Sequence, residues 1–456
     1  MLKVREFYCP AHFGNSFEVA SQSEMREILQ ETKWWGFNAY SDWFNTMDLY
    51  DVYAKRGIHK LYNMPEAIWE KKFINYETAS ELGFELGLVL TPNHVFSDQL
   101  NLGKQAEQDP HIFGQLLCPS DTASRKIILK NVENLLQDFK RRGLSLKRLT
   151  ACPYDYGGCA CAECAPWIIT FGKLCREVRN MAENYFPGIE MSVITWWWSE
   201  EEYKLFAEWS DKEARNCFQG MYLHLPYGEY AYKEHPLPQG CRERAFVHVS
   251  YGEEAQPCDA YGHLGPVMAP LRMQNTVEYL FKRKAEGFMT YCEGTHADIN
   301  VALLGGLSSG RYSKSHDALA AYAKRYLGGN AEEWADWISA WGKPFAVDVE
   351  NAGRTFERLK KNAAPSWRLE QLESKLKLFE ANHRVLKAEK WDGEKTQAAR
   401  DFWLEKERLW RKTWGLGLTR HILRFNSEAP NWQKEYLEAC GKIGGNLSVY
   451  KKNKEA

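Results

Sequence analysis

LSLKRLTACPYDYGG, residues 144–158, carries the pattern by which the rest of the chain can be parsed. Leu144 to Ala151 is a short run of apolar and β-branched residues, and it reads as a strand. Cys152 and Pro153 stop it, Tyr154, Asp155 and Tyr156 come next, and Gly157–Gly158 permit a sharp turn. Seven other places repeat this arrangement of a brief apolar run opening into polar and aromatic text. They are Val4 to Cys9, Phe37 to Tyr40, Gly83 to Leu90, Glu190 to Thr195, Gln219 to Leu223, Ala245 to Val249 and Gly287 to Tyr291. Helical text such as residues 125–141 and 171–185 fills most of the intervals, so the strands should be parallel and joined by crossovers.

Eight strand–helix units within about 320 residues fit a closed (β/α)8 TIM barrel, an α/β fold. An open doubly wound sheet is the competitor, but no G-x-G-x-x-G comes after any of the strands. The long interval after the second strand, with YNMPEAIWEK, marks an insertion. From about Ala331 the text is rich in Glu, Lys, Ala, Leu and Trp, with amphipathic periodicity at 332–341, 347–360, 368–387, 394–413 and 432–440. The expected division is a barrel over residues 1–329 and an all-helical C-terminal domain over 330–456.

Composition narrows the function. Lys and Arg total 59 against 60 Asp and Glu, a net charge of -1 that offers no pull toward nucleic acid or an anionic membrane. No run approaches the roughly 20 apolar residues of a membrane span, and no leader pattern opens the chain. A cytoplasmic location is expected, although a leader removed earlier would leave the same text. The aromatic content is high (18 Trp, 23 Tyr, 22 Phe) and crowds the strand ends, where flat rings serve either as core anchors or as platforms for sugar rings.

In a (β/α)8 barrel the loops after the strands converge on one face, which carries the active site. The residues just beyond the strands are therefore the candidates: Asp42, Trp43, His94, Tyr154, Trp196, His224, Glu253 and His296 for substrate binding, with Asp155, Glu200 and Glu293 as catalytic carboxylates. Two carboxyl groups across a glycosidic bond are what its hydrolysis requires, one as acid and the other as base or nucleophile. Plainer readings stand beside these, and beside Asp298, which also follows the eighth strand. Asp155 can close its turn through its side chain, Glu200 can favour a helix N-terminus, and Asp298 can cap the helix that begins there.

Cys159, Cys161 and Cys164 crowd one loop in GGCACAECAPW. Such spacing suits a structural zinc ion, with Cys152 or Cys118 as fourth ligand; packed thiols or a disulfide are the other readings. No cofactor is required for the chemistry.

LCPSD (Leu117 to Asp121), YDYGGCACAECAPW (Tyr154 to Trp167) and YCEGTHADIN (Tyr291 to Asn300) together resemble barrels of the broad hexosaminidase and alpha-glucuronidase type, over about residues 1–325. The resemblance implies an exo-acting glycosidase with its pocket at the strand C-termini and an oligosaccharide as substrate. One departure matters. Hexosaminidases of this type carry adjacent acids after the fourth strand, whereas Asp155 is succeeded by Tyr156, which weighs against an acetamido sugar. A non-hydrolytic carbohydrate-binding barrel, or a lyase or isomerase acting on uronic-acid sugars, would use the same face. The helical C-terminal region would either wall the pocket or make a homo-oligomer.

Overall fold

The structure, a computed structural model, describes residues 1–11, 15–44, 65–109, 112, 114–153, 157–226, 228–250, 266–292, 294–387 and 392–414. Its eight strands are β1 (Val4–Tyr8), β2 (Ala39–Trp43), β3 (Glu85–Leu90), β4 (Leu146–Ala151), β5 (Glu190–Ile194), β6 (Gly220–Leu225), β7 (Arg242–His248) and β8 (Gly287–Tyr291). All pairs are parallel and the ring closes in sequence order, with Val4 opposite Gly287 where β1 meets β8. Helices α1 (Ser16–Val19), α2 (Gln22–Trp35), α3 (Pro65–Glu81), α4 (Thr122–Arg141), α5 (Trp167–Tyr185), α6 (Glu200–Glu213) and α7 (Pro270–Arg283) run between them. The insertion expected after the second strand falls largely on residues 45–64, outside the described residues.

Local chemistry sets these boundaries. Ser21 caps α2 in a reciprocal arrangement with Glu24, and Gly36 ends that helix in the left-handed conformation. Ser199 and Glu202 repeat the N-terminal device on α6. Strands β1, β3, β4 and β5 are one or two residues shorter than expected, and three others extend beyond their expected limits. β2 and β6 run on through Asp42–Trp43 and His224–Leu225, and β7 starts earlier, at Arg242. Their polar and charged residues suggest loop, but they occupy barrel positions where partners await them.

The floor of the barrel shows why. Glu6 on β1 is fully buried inside the ring. Tyr222 donates its hydroxyl to this carboxylate, and the Arg148 Nε lies 3.6 Å away. Arg244, also fully buried, sits over the Tyr222 ring and pairs with Glu190 at 2.9 Å and Glu286 at 2.7 Å. A Cβ on Gly87 would come within 2.5 Å of the Glu6 Oε1, so the carboxylate occupies the space this glycine leaves.

Beyond β8 the chain is helical: α8 (Asp298–Ser308), α9 (Ser315–Tyr326), α10 (Ala331–Ala340), α11 (Val349–Lys360), α12 (Trp367–Lys387) and α13 (Gly393–Trp414). Residues 432–440, read as a further helix, lie outside the described residues. Trp334, Trp341, Phe356 and Phe379 fill the seam between these helices. Among the described residues no helix is long and apolar enough to cross a membrane.

Asp298 does not cap α8 with its side chain. Its carboxylate receives the Arg368 Nε of α12 at 2.7 Å and the Tyr322 hydroxyl of α9 at 2.6 Å, tying the helices to the end of the barrel. On the same helix as Arg368, the buried Lys375 donates to the Pro266 carbonyl at 2.9 Å, and Gln371 donates to Thr295 at 3.2 Å. Helix α12 therefore packs on the segments leaving β7 and β8.

Removing the floor carboxylate while keeping its shape tests the charge network. We expect Glu6→Gln to lower stability by about 3 kcal/mol, because Arg148 stays buried beside a neutral amide. Equilibrium urea denaturation measures this, and a change below about 0.5 kcal/mol would show that the floor does not depend on the charge.

Candidate functional site

Above the charged floor the barrel interior turns aromatic. Tyr8, Trp43, Trp196, Phe246 and Tyr291 belong to one buried cluster at the C-terminal ends of the strands. Trp196, just past β5, is at its centre. Its indole meets His248 edge-on at 4.7 Å and Tyr291 at 5.3 Å, and lies parallel to His224 at 5.7 Å. Across the ring, Trp43 donates its indole N–H to Thr91 at 3.0 Å and meets the His94 ring at 5.9 Å.

The structure thus gathers Trp43, His94, Trp196 and His224 into the barrel mouth. It adds His248, which the sequence reading missed. Its signal is strand alternation: two residues after the inward-facing Phe246, His248 points the same way, although it lies within a strand rather than beyond one. His296 is fully buried within the single turn Thr295–Ala297, its carbonyl accepting the Val267 N–H at 2.9 Å.

Asp42 is fully buried as well. Its Oδ1 accepts from the backbone N–H of Ala11 and Trp43 and from the Lys72 ammonium, at 3.0, 2.6 and 3.0 Å. Burial pushes its pKa up, against the pull of Lys72 and the two backbone donors. Lys72 also donates to the Trp43 carbonyl at 2.6 Å, so this pair positions Trp43.

Burial lowers the pKa of His94 to about 3 and of His224 to about 4. His248 is held well below its ordinary value, first by burial and then by His224 and Arg272 beside it. All three rings are neutral at pH 7, each with one N–H donor and one acceptor nitrogen. Neutral rings of this kind are poor general acids at neutral pH.

Tyr154, Asp155, Glu253 and Glu293 lie outside the described residues. The chain on either side of residues 154–156 is fixed: Cys152 joins the aromatic cluster, and Gly158 is held by Asn93 through bonds of 2.8 and 3.1 Å. Glu200 lies in the first turn of α6, exposed, with Oε2 3.2 Å from the His235 Nδ1. Trp197 is 49% exposed and has a left-handed backbone, φ 59°. That conformation costs a non-glycine residue, and Asn216 and Lys284 share it. A groove of about 950 Å³ lies outside the ring between α7 and helices α10 and α11, lined by Tyr230, Leu271 and Trp337 and by none of the predicted site residues.

The cysteine cluster forms, and the structure chooses its fourth member. Cys118, from the segment after β3, joins Cys159, Cys161 and Cys164, and the four Sγ atoms lie within 4.8 Å of one another. Cys152 is not the fourth member, because it faces the barrel interior with Tyr8. Cys118 is 3.8 Å from Cys161 and 3.5 Å from Cys164, far beyond a disulfide bond, so the disulfide reading is set aside.

No family model and no curated protein matches the chain. Solved structures with a similar barrel belong to glycoside hydrolases of several families, at low identity. One is CpGH89 from Clostridium perfringens in complex with GlcNAc-alpha-1,4-galactose (TM-score 0.49, 10% identity, 90% of this chain and 53% of that one). Another is the catalytic domain of the Paenibacillus polymyxa beta-amylase (0.43, 9%, 67% and 97%). A third is a module of the pneumococcal exo-beta-D-N-acetylglucosaminidase StrH (0.42, 11%, 75% and 98%). They single out no hexosaminidase or alpha-glucuronidase type.

The neutral imidazoles give a prediction. Because the folded pKa values lie below the unfolded value near 6.5, the unfolded chain takes up protons first as pH falls. Stability is full above about pH 6.5 and is lost below it, by up to about 1.4 kcal/mol per pH unit for each ring. We expect the urea midpoint at pH 5 to fall well below that at pH 7, and His94→Gln to shrink the difference. An identical pH dependence in the variant would show that His94 protonates within the fold.

Proposed function

We propose that the protein is an exo-acting glycoside hydrolase whose substrate is an oligosaccharide bound at the C-terminal mouth of the barrel. The observation that carries this reading is the mouth itself: indoles beside three uncharged, buried imidazoles. Flat apolar faces match the C–H face of a sugar ring, and neutral imidazoles match its hydroxyls. Trp197 supplies an exposed platform at the rim.

Asp155, after β4, acts as the acid that protonates the leaving oxygen. Glu293, after β8, is its partner as base or nucleophile. Glu200 serves less well, because the helix N-terminus and His235 already account for its place. Tyr154, Glu253 and His296 complete the sugar-binding set. Hydrolysis by two carboxyl groups draws on no cofactor, and the cysteine cluster stands outside the chemistry as a structural element.

Against oligosaccharide panels that include uronic and neutral sugars, wild-type protein should release reducing sugar. Asp155→Asn and Glu293→Gln should each lower kcat by about 10²–10⁴-fold. If both variants keep activity within a few-fold of wild type, the assignment fails. Binding without turnover would identify a carbohydrate-binding barrel instead. At the rim, Trp197→Gly and Trp197→Ala should both raise KM with little change in kcat. The glycine variant should be the more stable of the two by about 1 kcal/mol, since it escapes the left-handed penalty. Steady-state kinetics and urea denaturation read the two effects separately.

A further inference from the structure

We propose that Cys118, Cys159, Cys161 and Cys164 bind one zinc ion in a closed tetrahedral site that clamps the segment after β4 to the segment after β3. The geometry is the first support. Four thiolates at a Zn–S distance of about 2.3 Å stand about 3.8 Å apart along the edges of a tetrahedron. The Cys118–Cys161 and Cys118–Cys164 separations are 3.8 and 3.5 Å, and no pair of the four exceeds 4.8 Å. Packing of apolar thiols explains their burial. It does not explain why four sulfurs from two separate segments converge on one point at this spacing.

The surroundings supply what such a centre needs. Zinc with four thiolates carries a net charge of about −2, which requires donors nearby. The backbone N–H of Glu107 donates to the Cys159 Sγ at 3.2 Å. Lys104, paired with Glu163 at 3.0 Å, brings its ammonium to 3.9 Å from the Cys161 Sγ, and the Cys164 thiol donates to the Ser120 hydroxyl at 3.0 Å, a bond whose direction reverses once the sulfur is deprotonated. All four cysteines are buried. Four protein ligands leave no open position, so the ion is structural. Binding releases the four thiol protons to solvent and involves no electron transfer.

Non-covalent contacts already link the two segments: the Ala160 N–H donates to the Glu107 carbonyl at 2.9 Å, Lys104 pairs with Glu163 at 3.0 Å, and the Ser120 hydroxyl donates to the Glu163 carbonyl at 3.1 Å. A metal ion would add a bonded clamp to them. The described residues within 91–121 and 152–166 are mostly irregular; isolated bridges such as His94 with Leu116 and Gln105 with Leu117, and a small cluster around Ile112 and Leu116, hold those of the first segment. The Asn93–Gly158 bonds join the two segments at one end, and the cysteines join them at the other. Between Cys152 and Cys159 lies Asp155, and the first segment carries His94. That the ion supports catalysis rests on the glycosidase reading. That it binds does not.

The test uses the full chain purified under reducing conditions. Elemental analysis should find about one zinc per chain, released on thiol modification by a mercurial. Cobalt added to metal-stripped wild type should give the intense visible bands of tetrahedral thiolate coordination, a readout that survives if the variants fold poorly. Cys118→Ser and Cys161→Ser should lose the zinc, and Cys152→Ser should keep it. Stripping should lower the melting temperature by about 5 °C or more and open residues 104–121 and 157–166 to protease. Wild type that retains no zinc after incubation with it overturns the site. Iron in its place overturns the ion, and zinc kept by both serine variants overturns the ligand set. Zinc whose removal changes neither melting nor proteolysis overturns the clamp. These results are the same whether or not any sugar is cleaved.

Discussion

A carboxylate enclosed by eight strands is the constraint on which the rest of the barrel depends. Glu6 is sealed from solvent, and a charge in such a place is tolerated only with opposite charge and hydrogen bonds supplied by the fold. Tyr222, Arg148 and Arg244 supply them, and Glu190 and Glu286 in turn engage Arg244. These residues come from β1, β4, β5, β6 and β7 and from the turn into β8, so the network is complete only when the ring is closed. Gly87 on β3 gives the carboxylate its room. The floor thus specifies closure, and the mouth is free to be built from aromatic rings.

The eight-strand order and the helical tail are legible in the amino-acid text because both rest on periodicity. Short apolar runs alternating with helical segments admit few other arrangements, and the helices from α10 to α13 fall within two residues of where amphipathic spacing places them. The strand ends are less legible for a physical reason. Asp42, His224, Arg242 and Arg244 are polar, and a polar residue usually marks the end of a strand. Inside this barrel the charged ones meet partners supplied by other elements: Lys72 of α3 for Asp42, and Glu190 and Glu286 for the arginines. A sequence shows the polar residue without showing the partner.

The same gap explains the uneven reading of the site. Trp43, His94, Trp196 and His224 can be found from their places at the strand ends, since geometry brings those positions together in any such barrel. His248 requires knowing that β7 is still a strand at that point. Cys118 is the harder choice over Cys152: Cys152 is nearer in sequence to the other three cysteines, yet as the residue directly after β4 it turns inward to Tyr8. Distance along the chain favours one cysteine, and the path of the backbone favours the other.

The mouth is braced on two opposite sides by unlike means. At β3 and β4 the bracing is the cysteine cluster together with Asn93. At β7 and β8, on the other side of the ring, it is helix α12, through Arg368 on Asp298, Lys375 on Pro266 and Gln371 on Thr295. Irregular loops do not hold their side chains in place unaided. The C-terminal helices therefore act on the barrel mouth from one side as the cysteines do from the other. That places helix α12 within the architecture of the barrel mouth.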